Sequence, residues 1–161
     1  MKQLLLLAVA VSLAALPTPS RAQMPGVPRV PYGTTDFAKL KWLQGKWAGT
    51  TTDGEPATYQ AFRVSNDSTI DITYFRDSAF TQEIGTGRLY LSVGRVYHTF
   101  GGNRWAATRV DSAGLYFIPQ SAARNNYSWV YVSPDAWTAT MRTGVSGHQR
   151  VIVYNMKRVP R

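Results

Sequence analysis

From about residue 46 onward, hydrophobic and polar positions alternate in short runs, and Gly, Asn, Asp, Ser and Pro clusters interrupt them about every 8 to 12 residues. Asp53-Gly54, Asn66-Asp67, Asp77-Ser78, Gly94, Gly101-Gly102-Asn103, Asp111 to Gly114, Asn125-Asn126, Ser133-Pro134-Asp135 and Gly144 to Gly147 supply the breaks. The runs between them favour β-branched and aromatic residues, which suit a pleated, half-buried surface. This pattern predicts ten strands, over 46–52, 57–64, 69–76, 81–91, 94–100, 104–110, 114–118, 127–132, 136–142 and 149–158. Within them Ile70, Ile72 and Tyr74 share one face while Asp71 and Thr73 share the other. Leu89, Leu91 and Val93 make a second apolar face, Trp137, Ala139 and Met141 a third, and Ile152, Tyr154 and Met156 a fourth.

Short connections make strands that are neighbours in sequence antiparallel neighbours in space. A meander of this length removes its exposed edges by joining first strand to last, so the expected fold is all-β, an antiparallel up-and-down barrel of about ten strands. The period differs upstream. Phe37, Leu40 and Leu43 recur every third residue behind Thr34-Thr35-Asp36, which offers capping oxygens, and Gly45 supplies a stop. One short helix is therefore expected ahead of the first strand.

The first residues read as an address. Met1-Lys2-Gln3 is basic, Leu4 to Leu16 is an almost unbroken apolar run, and Ser20-Arg21-Ala22 places small residues where a signal peptidase reads. The run is about 13 residues, against about 20 for a membrane-spanning helix. Residues 1–22 are expected to be a cleaved signal peptide, 23–33 an extended Pro- and Gly-rich leader, and 34–161 the barrel domain, exported to the periplasm or secreted. The chain has no cysteine, so stability must come from a packed core, and five tryptophans and nine tyrosines can supply one. Thiol catalysis and thiolate metal sites are excluded with it.

The formal charge of +9 is carried mostly by arginines spaced one by one from Arg63 to Arg158. That spacing fits one charge per strand or turn on a solvated outer face, with weak association to anionic surfaces as the sharper reading. Nucleic acid is not expected as a partner, since no binding motif is present. An outer-membrane barrel would need an apolar band about 25 Å tall, and charges or polar side chains interrupt the candidate lipid faces.

Trp42-Leu43-x-Gly45-x-Trp47-x-Gly49 and the closing run from Val151 to Val159 resemble the opening and last strand of exported bacterial lipocalin-like and nitrobindin-like barrel families. The resemblance implies a barrel that holds a largely apolar ligand. It also implies that Arg158 stacks on Trp47 at the barrel base, a structural role shared with Gly45. A related family carries a late histidine-bearing stretch, and Ile118-Pro119-Gln120-Ser121 lacks that histidine. The nitrobindin-like resemblance raises haem, held by His98 or His148, as the alternative to having no cofactor.

His98 is the ionisable group that alternation places on an apolar face, beside Val96 and Phe100. It is either a hydrogen-bonded core residue or the polar anchor of a ligand cavity. Trp105, Ala107 and Arg109 share a face on the next strand. Tyr59, Tyr74, Leu89, Trp129 and Tyr131 complete the candidate lining, each equally at home in a plain core. With two histidines, two glutamates and no Gly-x-Ser-x-Gly, no reaction is legible and no metal site is expected. The expected function is binding of a small hydrophobic ligand inside the barrel. One alternative is a filled barrel whose exterior binds polyanionic material. Another is an enzyme using the same cavity, with His98 as base or polariser and Arg109 or Arg88 stabilising negative charge.

Overall fold

The computed structural model of the protein describes residues 31–51, 53–121, 123–144 and 149–160. The expected signal peptide, most of the expected leader and His148 lie outside the described residues. A helix α1 (Thr34–Ala38) and a 3-10 turn (Lys41–Leu43) precede ten strands. These are β1 (Gly45–Thr50), β2 (Thr58–Asn66), β3 (Thr69–Phe75), β4 (Glu83–Ser92), β5 (Arg95–Phe100), β6 (Asn103–Asp111), β7 (Gly114–Pro119), β8 (Asn125–Ser133), β9 (Ala136–Thr143) and β10 (Arg150–Arg158). Each pairs antiparallel with its neighbours in sequence, and β1 pairs with β10, so the barrel is closed and up-and-down. The strand ends agree with those read from the sequence to within about two residues.

The two ends of the barrel differ. At one, two-residue turns join β2 to β3, β4 to β5, β6 to β7 and β8 to β9, and α1 with the 3-10 turn plugs the opening by burying Phe37, Leu40 and Leu43. This is the base. At the other end, the mouth, the connections from β1 to β2, β3 to β4, β7 to β8 and β9 to β10 are longer. The start of α1 is not capped by a threonine oxygen as the sequence suggested. Gly33 is the capping residue, and its N–H donates to Asp36 Oδ2 from inside the first turn. Tyr32 N–H donates to Gly94 O, tying the chain ahead of the helix to a base turn.

Above the plug the lower half of the barrel is solid with aromatic rings. Trp137 makes edge contacts of 6.0 Å with Trp42, Trp47 and Phe62 and lies 5.6 Å from Trp129. Arg158 closes the seam between β1 and β10. Its guanidinium lies 4.2 Å from the Trp47 ring centroid and donates to the carbonyls of Trp42, Gln44 and Pro134. Gly45 has φ +128°, and a Cβ there would meet Arg158 Nη1 at 2.5 Å, so only glycine admits the guanidinium this close. The exterior is polar by comparison. Register places Arg63, Asp71, Arg88, Thr99 and Arg104 in one row across five strands, and Asp71 pairs with both Arg63 and Arg88.

One apolar face ends earlier than alternation implied. Val93 does not continue the inward row of Leu89 and Leu91; it is 96% exposed at the tip of the β4–β5 turn, with φ 47° followed by φ 69° at Gly94. Two successive left-handed residues match the twist of a tight hairpin, and Asn-Gly is its preferred sequence. A β-branched residue in that region is strained. Val93→Asn is therefore expected to raise unfolding free energy by about 1 kcal/mol in urea denaturation. No gain would mean that the turn holds valine without strain.

Candidate functional site

The mouth half of the barrel holds a cavity of about 170 Å³. Its wall carries one polar cluster centred on His98. Cross-strand register sets His98 on β5 opposite Leu89 on β4 and Trp105 on β6, so the imidazole enters the interior already flanked. Tyr74 reaches it from β3, two strands away. That reach depends on β4, where Gly87 faces inward: a Cβ at Gly87 would lie 3.1 Å from the Tyr74 ring and 3.4 Å from His98 Nε2. Tyr74 Oη is 3.0 Å from His98 Nε2, and Tyr127 Oη bonds His98 Nδ1 from β8. Both ring nitrogens are therefore engaged by phenols.

The surroundings are aromatic. Trp105 stacks on His98 with centroids 5.7 Å apart and planes at 26°, while Trp129 meets it edge-on at 5.1 Å. Phe117 stacks on Tyr127 at 4.7 Å, and Phe100 tilts against Tyr74 at 4.3 Å. Trp105 satisfies its own indole by donating Nε1–H to Asn125 O at 3.0 Å. His98 is 5% exposed, and burial pushes its pKa down to about 3. Burial also raises both phenols, Tyr127 further through the neighbouring Tyr74. The cluster is uncharged at neutral pH.

Of the residues singled out from the sequence, His98, Tyr74, Trp105 and Trp129 come together on this cavity. Leu89 is fully buried beside His98. Tyr131 faces inward at the base, 5.5 Å from Trp42, and is not part of the cavity wall. Tyr59 lies on the outside against Phe80, at 6.0 Å. Arg109 also lies outside. It does not share the face of Trp105 and Ala107, because a bulge between Ala107 and Arg109 shifts the register and turns Val110 inward instead. Its guanidinium pairs with Asp111 and covers Tyr116. Arg88 is likewise outside, paired with Asp71, so neither arginine is placed to stabilise charge in the cavity.

Tyr127, Gln60, Phe100, Asn125, Met141 and Tyr154 line the cavity without having been named as site residues. For Tyr127 the signal was present, since it alternates in phase with Trp129 and Tyr131. The partnership of two tyrosines with one histidine had no such signal, because Tyr74 and Tyr127 lie 24 and 29 positions from His98 in sequence. Both ring nitrogens of His98 are hydrogen-bonded to phenols, so a haem held there would have to displace one of them. Among the described residues no group of three His, Asp or Glu side chains is placed to hold a metal ion.

No protein-family model matches the chain. No curated protein sequence matches it either. Among solved structures it is similar to one described as a redesigned β-barrel, with 13% identity and a TM-score of 0.39 over 74% of this chain and 94% of that one.

Proposed function

We propose that the protein is an exported binding protein of lipocalin-like type that holds a small, largely apolar molecule in the mouth half of its barrel. The observation that carries this reading is a cavity walled by Trp105, Trp129, Phe100 and Met141 with one uncharged polar cluster at its side. Mostly apolar walls with a few placed polar groups are the usual make-up of a small-molecule site. A cavity near 150 Å³ is enough for a benzene-sized guest, so the walled space has room for about one ring. The solid aromatic base supports the same reading, because it fixes the walls while leaving only the upper half free.

A second reading has its own observation. The outer row of Arg63, Arg88 and Arg104 leaves more positive than negative charge on one face, since Asp71 is the carboxylate in that row. Such a face favours contact with polyanions. One melting experiment separates the two. Single-ring apolar compounds in large excess over Kd should raise Tm by several degrees, since a ligand that binds only the folded state stabilises it by about 2.7 kcal/mol at a hundredfold excess. Stabilisation by heparin-type polymers with no response to any ring compound would overturn the cavity reading in favour of the outer face.

A further inference from the structure

Resting on the cavity reading above, we infer that the ligand is an uncharged ring compound bearing a hydroxyl group, held through that hydroxyl between the Tyr74–His98–Tyr127 cluster and Gln60. The argument is a matching of donors to acceptors. A neutral imidazole offers one N–H and one lone pair. With a phenol on each nitrogen, one tyrosine donates its O–H to the bare nitrogen and the other accepts from the N–H. The accepting tyrosine keeps its own hydroxyl proton. Among the described residues neither Tyr74 nor Tyr127 makes another hydrogen bond through its hydroxyl, so whichever of them accepts is left with a buried donor and no acceptor there. Which one it is depends on the tautomer; that one of them is does not.

Gln60 supplies the complement. It lines the same cavity, directs its amide Nε2 to Thr58 Oγ1 at 3.2 Å, and buries its Oε1 with no donor. Among the described residues of the wall, the phenol pair and Gln60 thus leave a buried donor and a buried acceptor unmatched, and unmatched buried groups are costly. A single hydroxyl satisfies both, accepting from the phenol and donating to Gln60. A ketone satisfies only the phenol. A hydrocarbon satisfies neither. A carboxylate could accept, but among the described residues no charged side chain lines the cavity to compensate its loss of water. The ring itself meets Trp105, Trp129 and Phe100.

The test uses the full chain and four probes of similar size: phenol, benzyl alcohol, toluene and benzoate, titrated calorimetrically at pH 7. The expected order is phenol or benzyl alcohol at least tenfold tighter than toluene, with benzoate not binding measurably. Gln60→Leu should cut the phenol-to-toluene preference to within about threefold whichever tautomer His98 adopts, and an undiminished preference in that variant would overturn the hydroxyl inference. Equal binding of phenol and toluene to the native protein would overturn the hydroxyl inference and leave the cavity reading standing. Tighter binding of benzoate than of phenol would overturn it as well. Binding of none of the four would overturn both.

Discussion

Replacing Arg158 by alanine is expected to remove about 3–4 kcal/mol of folding stability, a large share of the roughly 5–15 kcal/mol a domain of this size has. The side chain ties the 3-10 turn and the start of β1 to the β8–β9 turn. Nε donates to Pro134 O and to Asp135 Oδ1, Nη1 to Gln44 O at 2.6 Å, and Nη2 to Trp42 O and to Pro134 O at 2.7 Å. Its flat face lies on Trp47. Alanine strands three backbone carbonyls and uncovers the tryptophan, and bonds from a charged donor each contribute about 1.5–3 kcal/mol net. The total is below the sum because the side chain is 29% exposed and water can enter. Urea denaturation should also separate the causes. Arg158→Lys keeps a cation over Trp47 but cannot fork between carbonyls on opposite sides, so it should recover less than half of the loss. Asp135→Ala should cost under about 0.5 kcal/mol, since its carboxylate is 78% exposed. A loss below 1 kcal/mol for Arg158→Ala would show that β-strand pairing alone closes the barrel.

Arg158 also marks what could be read in the residues themselves. Its partnership with Trp47 was expected from the resemblance of the opening and closing runs alone, and the closing register does set the two residues opposite each other. Strand positions were legible from the residues: turns are local chemistry, and Gly, Asn and Asp declare them. Faces failed where the ladder departs from strict alternation. The β6 bulge sends Arg109 outside, and the primed turn at Val93-Gly94 lifts Val93 out of the core row. Neither device changes the composition of the run that contains it. Tyr59 failed differently. It keeps its alternation on β2, but in phase with outward Ala61 and Arg63, and it is half-covered only because Phe80 in the β3–β4 connection folds back onto it. An exposed aromatic sheltered by a loop and an inward one look alike in sequence. The pairing of His98 with Tyr74 and Tyr127 is a product of closure, since it requires β3, β5 and β8 to face one axis and Gly87 to leave the path open.

The burial of His98 makes a second large expectation, in pH rather than in sequence. With a folded pKa of about 3 against an ordinary value of 6.5, the unfolded chain binds a proton between those values that the folded protein does not. Unfolding takes up that proton, so stability is full above pH 6.5 and falls as pH drops, by about 1.4 kcal/mol per unit. By pH 4.5 the loss is about 3 kcal/mol. The groups facing the imidazole are Tyr74, Tyr127, Trp105, Trp129 and Phe117, none of them charged, so nothing on the adjoining strands offsets the desolvation. Carboxylates enter lower: Asp36, held down by its bond from Lys39, and Asp71, held down by the Ser65 hydroxyl and then Arg88, lose their contributions below the ordinary carboxylate range. The window from 4.5 to 6.5 therefore separates histidine from carboxylate. His98→Gln keeps a donor and an acceptor for the two phenols and cannot titrate, so its urea midpoints should stay nearly level where those of the native protein decline; His148, present in both, cancels in the difference. Where the variant refolds poorly, the imidazole resonances of the native protein give the same answer by showing no titration of His98 above pH 4. Parallel pH profiles for the two proteins, or a His98 that titrates near 6.5, would mean that bulk water reaches the cluster, and a cavity open to bulk water could not hold a phenol proton in reserve for a ligand.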